Sequence, residues 1–512
     1  MKTLEAFVVG VVGTGAMGRG IAQLFAQSGH AVRLFDAAPG AADSAKAAVA
    51  DALGRQVDKG KLARDAFDAT MGRMMPVAAL ADLAGCDLVI EAIVENLDVK
   101  KRLFAELEAI AGPDAILATN TSSLSVTAIA AACTAPARVA GYHFFNPVPL
   151  MKVVEVIRGA RTSEATAETL VALTRRTGHA PVVAQDTPGF LINHAGRGYG
   201  TEALKLVAEG VADVPTVDRV MREQVVFAGG GFRLGPFELL DLTGLDVSHP
   251  VMESIYRQFY DEPRFRPSAL AAQRVAGGLL GRKTGEGFYR YEAGVQIAVP
   301  EDEPAAGMPC PRVWVAPSRA QGALRELVGA LGGTVDDAPA PAADSLVVLA
   351  PLGHDATTAA TDAGLPAERA VAIDTLFPFA AKACKRRVLM ATPATDPALA
   401  QAARRLFSAD GARTSLVRDS AGFVAQRVVA MVVAVSCEIA QQRIASPADI
   451  DLAVRLGLGY PAGPLSMGDA LGAATVAAVL DGMHASTGDP RYRPSLWLRR
   501  RARLGRSLLH AD

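Results

Sequence analysis

The chain opens with a glycine pattern that restricts its N-terminal fold to few architectures. Gly13, Gly15 and Gly18 form a G-x-G-x-x-G sequence between the apolar run 7–12 and an alanine-rich segment. A strand that turns sharply into a helix at such glycines presents free N–H groups of the helix N-terminus to a phosphate. The pattern therefore predicts a Rossmann-type dinucleotide-binding domain. The expected cofactor contacts in this turn are Gly13, Gly15, Ala16, Met17 and Gly18.

An acidic residue follows at the spacing that this motif requires. Asp36 ends the next apolar run, 31–35, and lies 18 residues after Gly18. A carboxylate at the end of the second strand binds ribose hydroxyls and repels a 2′-phosphate. We therefore expect Asp36 to bind the cofactor, and we expect that cofactor to be NAD.

Further apolar runs alternate with longer helical segments through the first part of the chain. They lie at 88–92, 115–119 and 138–142. This alternation is typical of βαβ units and predicts an α/β domain with a parallel sheet over residues 1–185. Residues 186–295 have few strand signals, so we expect an all-α domain there.

The second half of the chain repeats part of the first. Three segments recur in order, at offsets of 233, 228 and 227 residues: DTPGF at 186 as DSAGF at 419, GP at 235 as GP at 463, and RFRPS at 264 as RYRPS at 491. The repeat predicts a second copy of the all-α domain at 418–512. For residues 296–417 we expect a linker rich in proline, alanine and glycine, followed by a degenerate α/β segment.

Composition excludes several classes of protein. Half of the residues are hydrophobic and the net charge is -1, so the chain is neither disordered nor globally attracted to nucleic acid or membranes. The five cysteines form no C-x-x-C pair, which argues against disulfides and zinc. There is no signal-peptide pattern, and the apolar stretch 428–437 is too short for a membrane span. We expect a cytoplasmic enzyme without a metal ion.

A histidine and a glutamate are the first candidates for catalysis. His143 follows the apolar run 138–142, and Glu155 comes twelve residues later in the strand-like segment 153–157. Ligands bind beyond the carboxyl ends of parallel strands, and a carboxylate beside imidazole fixes the tautomer that a general base needs. The alternative is a structural histidine. Residues 120–123, NTSS, supply neutral hydrogen-bond donors, or else cap a helix.

Taken together, these motifs resemble one enzyme family. Residues 1–295 are similar to the 3-hydroxyacyl-CoA dehydrogenases of β-oxidation. Besides the glycine pattern, the similar segments are VIEAIVEN at 89–96, NTSS at 120–123, HFFNP at 143–147, DTPGF at 186–190, GPFEL at 235–239 and KTGEGFY at 283–289. The whole chain resembles the longer bacterial form. That form includes enzymes for 3-hydroxyadipyl-CoA in phenylacetate breakdown and for 3-hydroxybutyryl-CoA.

The resemblance implies a catalytic role for four residues. His143 would be the general base for the C3 hydroxyl of the substrate, and Glu155 would orient it. Ser122 would donate a hydrogen bond to the substrate oxygen. Asn193 would position the substrate.

The resemblance also implies further binding residues. Asn120, Glu95 and Lys100 would line the nicotinamide side of the cofactor site. Lys59 would contact the phosphates of coenzyme A, although the local sequence differs from the family and a solvated lysine is the alternative. The substrate would therefore be an acyl-CoA.

The second copy lacks this chemistry. Gln426 occupies the position that corresponds to Asn193, no glycine pattern precedes the copy, and nothing there matches His143 with Glu155. We expect a structural role. In short members of the family two chains pair through the helical domain, and here the second copy would pair within one chain. The protein would then be a monomer with an internal pseudo-dimer, the alternative being a homodimer.

The expected activity is NAD-dependent oxidation of a 3-hydroxyacyl-CoA, with (S)-3-hydroxyadipyl-CoA in phenylacetate degradation as the first substrate. The alternatives are a 3-hydroxybutyryl-CoA dehydrogenase, a dehydrogenase for a free 3-hydroxyacid, and a dinucleotide-binding protein without catalysis. In the family, the segment near residue 230 normally reads GYPxGP, and here it reads GGGFRLGP. Arg233 in this segment either meets a distal carboxylate of the substrate or lies on the surface.

Overall fold

A computed structural model describes residues 3–305, 307 and 309–512. The described chain forms two compact units. Unit 1 contains residues up to 194 together with 442–458, and unit 2 contains residues 195–441 and 459–512. A short segment of the second helical copy therefore belongs to the same unit as the N-terminal domain.

The strands fall into two larger sheets and two short hairpins. In chain order they are β1 (Val8–Val12), β2 (Ala31–Phe35), β3 (Met74–Pro76), β4 (Leu88–Glu91), β5 (Ile116–Thr119), β6 (Val139–Phe144), β7 (Val153–Arg158), β8 (Ala180–Gln185), β9 (Val226–Phe227), β10 (Gly230–Gly231), β11 (Tyr291–Glu292), β12 (Val295–Gln296), β13 (Val313–Val315), β14 (Leu346–Leu349), β15 (Ala370–Ile373), β16 (Arg386–Ala391) and β17 (Arg413–Arg418).

Helices follow most of the strands and make up the remaining domains. They are α1 (Ala16–Gln27), α2 (Ala41–Asp58), α3 (Arg64–Arg73), α4 (Leu97–Ile110), α5 (Val126–Ala130), α6 (Glu164–Arg176), α7 (Ile192–Ala195), α8 (Arg197–Ala208), α9 (Val214–Glu223), α10 (Pro236–Thr243), α11 (Leu245–Gln258), α12 (Ala269–Ala276), α13 (Gln321–Ala330), α14 (Ala356–Asp362), α15 (Pro397–Leu406), α16 (Ala425–Gln441), α17 (Pro447–Leu458), α18 (Pro464–Leu471), α19 (Ala473–Thr487) and α20 (Leu496–Leu504).

The sheet of unit 1 has the order β3-β2-β1-β4-β5-β6-β7-β8. Its neighbouring strands run parallel except for β6 and β7, which are antiparallel. Within β4, Leu88 and Ile90 belong to one buried cluster and Val89 to another. Since adjacent side chains in a strand point to opposite faces, the sheet is covered on both sides, which explains the continuous apolar runs. The predicted Rossmann-type α/β architecture is confirmed.

One strand is longer than the sequence predicts. The apolar run at 138–142 predicts a strand that ends before His143, whereas β6 continues through His143 to Phe144. The position of His143 in β6 is paired directly with Glu155 in β7. The antiparallel pairing, which periodicity cannot predict, is therefore what brings the two side chains to the same place.

Unit 2 contains a smaller sheet with the order β13-β14-β15-β16-β17. Its pairs are parallel except for β15 and β16. The last five strands of the larger sheet, β4 to β8, have the same order and the same single antiparallel pair. The degenerate α/β segment therefore corresponds to the later half of the N-terminal sheet, and strands equivalent to β1, β2 and β3 are absent from its described residues.

Two sets of helices in unit 2 pack against each other. The helix α16 is buried along nearly its whole length, as expected for a helix whose residues 428–435 are all apolar. It packs against α8 so closely that a Cβ atom at Gly198 would lie 3.0 Å from the backbone of Met431. Among the described residues, no helix combines the length and apolarity needed to cross a membrane.

Candidate active site

The glycine turn between β1 and α1 is closed by backbone contacts. Gly13 has a φ of +89, and its N–H donates to the carbonyl of Phe35 at 2.9 Å. A Cβ atom at Gly13 would lie 2.6 Å from the carbonyl oxygen of Ala92, and one at Gly18 would lie 1.8 Å from that of Gly13. Only glycine fits these two positions, because α1 starts in contact with the turn.

Asp36 is held against the same turn. Its Oδ2 accepts hydrogen bonds from the N–H and the hydroxyl of Thr14, each at 2.8 Å, and its Oδ1 accepts from the N–H of Ala38. Partial burial alone would raise the pKa of Asp36, but these hydrogen bonds hold it below its usual value. The carboxylate is therefore ionised at neutral pH. The contribution of Thr14 was not expected from the sequence.

The geometry of this turn fits NAD. A Cβ atom built at Gly15 would meet no protein atom within 4 Å, so the space in front of α1 is open to a pyrophosphate. Gly15 supplies no side-chain cap to α1, which leaves N–H groups of the first turn for a ligand. An ionised Asp36 at the end of β2 suits ribose hydroxyls.

His143 and Glu155 form a buried pair. The Nδ1 atom of His143 lies 2.6 Å from Oε2 of Glu155. The two residues are 5% and 0% exposed, so solvent hardly competes for this hydrogen bond. The ring of His143 also contacts the rings of Phe145 and Phe190. Since a carboxylate accepts hydrogen bonds, Nδ1 is the donor in this pair, and in the neutral imidazole Nε2 therefore carries the lone pair.

The second carboxylate oxygen of Glu155 is held by the backbone. The N–H groups of Leu191 and Ile192 donate to Oε1 at 3.0 and 2.7 Å. These donors lie in the segment that leads into α7, after Phe190, whose φ is 48. The left-handed conformation there turns the following N–H groups toward β7. Neither donor can be recognised in the sequence, because every residue type except proline carries a backbone N–H.

Glu95 holds the segment that contains Ser122. Its Oε1 accepts from the hydroxyl of Thr121 at 2.6 Å and from the N–H groups of Ser122 and Ser123 at 3.0 and 3.1 Å. Burial would raise the pKa of Glu95, but these donors and the ammonium of Lys100 hold it below its usual value. The hydroxyl of Ser122 lies 3.5 Å from the same oxygen, too far for a strong hydrogen bond.

Lys100 is buried in an ion-pair network. It is 1% exposed, and its Nζ lies 2.5 Å from Glu91 and 3.3 Å from Glu95. Glu91 is fully buried and also accepts from the hydroxyl of Thr119 at 2.7 Å. We did not single out Glu91 or Thr119 from the sequence. The sequence does contain one indication of this network: an acidic residue in an otherwise apolar strand, since a buried charge requires a partner of opposite charge or a hydrogen-bond donor.

The remaining predicted residues are placed as follows. Asn120 accepts the N–H of Phe144 through Oδ1 at 2.8 Å, which ties it to the residue after His143. Asn193 is half-buried on α7, directly after the two residues that hold Glu155. Lys59 is exposed and ends α2 as its C-cap. Arg233 is exposed as well.

The position of the catalytic pair is filled differently in the second copy. Asp374, directly after β15, takes the position of His143, and Val388 in β16 takes that of Glu155. The N–H of Asp374 donates to the carbonyl of Val388. Asp374 is 1% exposed, and its two oxygens accept from Gln426 at 2.9 Å and Gln224 at 3.0 Å. Burial raises the pKa of Asp374. In place of a histidine and a carboxylate, the described residues thus form a buried cluster of one carboxylate and two glutamine amides.

Comparison with known families agrees with this geometry. The model for the 3-hydroxyacyl-CoA dehydrogenase NAD-binding domain matches residues 8–187. The model for the 3-hydroxyacyl-CoA dehydrogenase C-terminal domain matches twice, at 189–291 and 422–508. The chain belongs to the 3-hydroxyacyl-CoA dehydrogenase family. It is an NAD-dependent oxidoreductase, and the predicted family and cofactor are confirmed.

Similar proteins include both long and short members of the family. The chain is 37% identical over 497 residues to 3-hydroxyadipyl-CoA dehydrogenase of Escherichia coli, and the match covers 97% of each chain. It is 44% identical over 282 residues to a probable 3-hydroxybutyryl-CoA dehydrogenase of Deinococcus radiodurans, covering 55% of this chain and 99% of that one. A crystal structure of 3-hydroxybutyryl-CoA dehydrogenase from Escherichia coli matches with a TM-score of 0.82 and 35% identity over 98% of each chain.

Proposed function

We propose that the protein oxidises the C3 hydroxyl of (S)-3-hydroxyadipyl-CoA with NAD, in the cytoplasm and as a step of phenylacetate degradation. The observation that carries the chemistry is the buried hydrogen bond of 2.6 Å between His143 and Glu155. The choice of acyl chain is supported by the similarity to the Escherichia coli enzyme named for 3-hydroxyadipyl-CoA, since that match spans 97% of each chain.

In this mechanism His143 is the general base. Glu155 holds the proton on Nδ1, so Nε2 is free to take the proton of the C3 hydroxyl. When bound, NAD supplies the acceptor for the hydride that leaves C3. In the reverse direction the protonated imidazole returns its proton to the oxygen of the ketone, and Glu155 stabilises the imidazolium until it does.

Ser122 and Asn193 stabilise the oxygen on which charge develops. The Ser122 hydroxyl is exposed, and the hydrogen bonds of Glu95 fix the backbone on both sides of it. A neutral donor held in this way stabilises an alkoxide without reorganising during the reaction. Asn193 comes directly after Leu191 and Ile192, whose N–H groups donate to Glu155. The backbone next to Asn193 is therefore hydrogen-bonded to the carboxylate that orients His143.

The cofactor residues act through position and charge. Gly13, Gly15, Ala16, Met17 and Gly18 would hold the pyrophosphate of NAD, and Asp36 would bind its ribose. On the nicotinamide side, Asn120 and Glu95 line the site, with Lys100 held behind Glu95 by its two ion pairs. The exposed Lys59 at the end of α2 is available to the phosphates of coenzyme A.

A single comparison tests the substrate. Purified protein is given NADH with 3-oxoadipyl-CoA or with acetoacetyl-CoA, and kcat/KM is measured for each. We expect the dicarboxylyl substrate to be preferred by more than about tenfold, which corresponds to about 1.4 kcal/mol of differential transition-state binding. Equal values, or a preference for acetoacetyl-CoA, would contradict the adipyl assignment.

A short-chain 3-hydroxybutyryl-CoA dehydrogenase is the second candidate. It is favoured by the name of the matching Escherichia coli crystal structure and by the Deinococcus radiodurans relative. Free 3-oxoadipate is the control in the same assay, because activity on the free acid would indicate a 3-hydroxyacid dehydrogenase instead. Absence of turnover on both thioesters by protein that still binds NADH would favour the non-catalytic alternative.

A further inference from the structure

The second helical copy contributes a segment to the catalytic unit. Within unit 1, the edge strand β8 pairs with residues that precede α17: Gln185 N–H donates to the carbonyl of Ile444 at 2.8 Å, and Ala184 forms an antiparallel bridge with Ala445. The carboxylate of Asp449 on α17 accepts the N–H of Val183. The second copy therefore forms hydrogen bonds with backbone groups that would otherwise be unpaired on this edge strand.

The far end of α17 reaches the segment that holds the base. A Cβ atom at Gly457 would lie 2.6 Å from Cδ1 of Ile192 and 3.2 Å from its Cγ2. The Ile192 side chain is 1% exposed, so it has little free space to move into. The N–H of the same residue donates to Glu155 at 2.7 Å, and Glu155 lies 2.6 Å from His143. Three consecutive contacts thus connect Gly457 with the imidazole.

We propose that the second helical copy positions the general base: α17 supports Ile192 through Gly457, and Ile192 fixes the carboxylate that orients His143. Gly457 is a positioning residue in this account and touches no substrate. The inference rests on the proposed function of His143 and Glu155. It also assigns to the second copy, which lacks catalytic residues of its own, an effect on kcat that a purely stabilising domain would not have.

The size of the effect follows from geometry. A close contact at Gly457 forces either the side chain or the backbone of Ile192 to shift. A backbone shift would lengthen the hydrogen bond of 2.7 Å from the Ile192 N–H to Glu155. Catalytic groups displaced by about 1 Å lose on the order of 10²-fold in rate. Cofactor binding involves the glycine turn and Asp36, whereas the three atoms nearest to a Cβ atom at Gly457 all belong to Ile192, so it should be unaffected.

The test uses the full-length protein and three variants. In Gly457→Ala we expect kcat to fall at least about tenfold, with KM for NADH within about twofold of wild type. Adding Ile192→Val removes Cδ1, the atom nearest to the new methyl group, and should restore most of the lost kcat relative to Ile192→Val alone. Gly329→Ala is the matched control, because a Cβ atom at that helical glycine meets nothing within 4 Å.

A second arm separates positioning from general stability. In a Glu155→Gln background, Gly457→Ala should lower kcat by less than about twofold, because residues that act as one unit are not additive. An undiminished effect in that background, or unchanged kcat in Gly457→Ala, would overturn the proposal. If Gly457→Ala alone does not fold, the variant that combines Gly457→Ala with Ile192→Val provides the test. If that variant folds and its kcat stays tenfold below the kcat of Ile192→Val, the proposal is overturned as well. Wild-type protein without turnover would instead overturn the proposed function.

Discussion

Glu155 uses its two carboxylate oxygens for different tasks. Oε2 accepts from His143, while Oε1 accepts from the N–H groups of Leu191 and Ile192. A carboxylate anchored on one oxygen can orient an imidazole on the other without rotating. The pairing of His143 with Glu155 was predictable from residue types and a twelve-residue spacing. The anchor was not, because it consists of backbone groups whose direction depends on the turn at Phe190.

Other residues of the site were missed for a related reason. Thr14 occupies a variable position of the glycine motif, and its two hydrogen bonds to Asp36 depend on how β1 and β2 align. Glu91 pairs with Lys100 across nine residues of sequence, as the start of α4 returns to the end of β4. Motif spacing identifies candidate site residues, but it does not show which side chain forms a hydrogen bond or an ion pair with a buried charge.

Asp36 is expected to select NAD over NADP through its charge. Asp36→Asn keeps an acceptor for Thr14 but removes the charge that repels a 2′-phosphate, so the ratio of kcat/KM for NAD to that for NADP should fall at least about tenfold. Steady-state kinetics with both cofactors measure the ratio. Thr14→Val is the control, since it removes one hydrogen bond and leaves the charge. An unchanged ratio in Asp36→Asn would contradict this role.

At the scale of elements, the apolar runs predicted where the strands of the larger sheet lie and that the sheet is parallel, and the parallel prediction fails for one pair of strands. The pair β6–β7 is antiparallel, and this feature places His143 opposite Glu155. The same pattern recurs in β15–β16, where Asp374 and Val388 take the corresponding positions. Matching sequence motifs mark only the helical part of the repeat, and the α/β part was predicted as a degenerate segment without such a motif, because the shortened sheet has lost the glycine turn and the catalytic residues that mark the first copy.

The turn from β1 into α1 is expected to tolerate no side chain at Gly18. In Gly18→Ala the new methyl group would meet the Gly13 carbonyl oxygen at 1.8 Å, so α1 must move away from the turn. We expect the Kd for NADH, measured by fluorescence titration, to rise at least about tenfold, because the N–H groups that bind the pyrophosphate move with the helix.

Gly54 provides the matched control for that substitution. It lies within α2, and a Cβ atom there meets no atom within 4 Å. Gly54→Ala should leave NADH binding unchanged and should stabilise the protein by about 0.5–1 kcal/mol, as expected for alanine in a helix. Wild-type affinity in Gly18→Ala would show that the turn does not hold the cofactor as described.

At the scale of the whole molecule, each sheet is completed by residues from the helical copy of the other half of the chain. Within unit 1, Gln185 of β8 donates to Ile444. Within unit 2, Arg418 of β17 donates in the same way to Val211, at 3.0 Å. The sequence predicts four consecutive domains or segments. It does not predict these hydrogen bonds between a sheet and the helical copy of the other half, because contacts between distant segments leave no local sequence pattern.

The internal pairing of the two helical copies leads to an expected molar mass. Within unit 2, α8 and α16 bury the ion pair between Glu202 and Arg427, whose side chains are 0% and 4% exposed. That surface is therefore already covered within one chain. We expect light scattering after size exclusion to give about 53.2 kDa over a range of concentrations. A mass of twice that value would contradict the monomer and favour a homodimer through another surface.

The most direct test of the account is the turnover of His143→Ala, measured beside wild type with 3-oxoadipyl-CoA, acetoacetyl-CoA and NADH. We expect kcat to fall by at least about 10²-fold on whichever thioester the wild type uses, because general base catalysis contributes roughly 10²- to 10⁴-fold. The Kd for NADH should stay within about twofold, since the glycine turn is intact. Near-normal turnover in His143→Ala would contradict the assignment of the base.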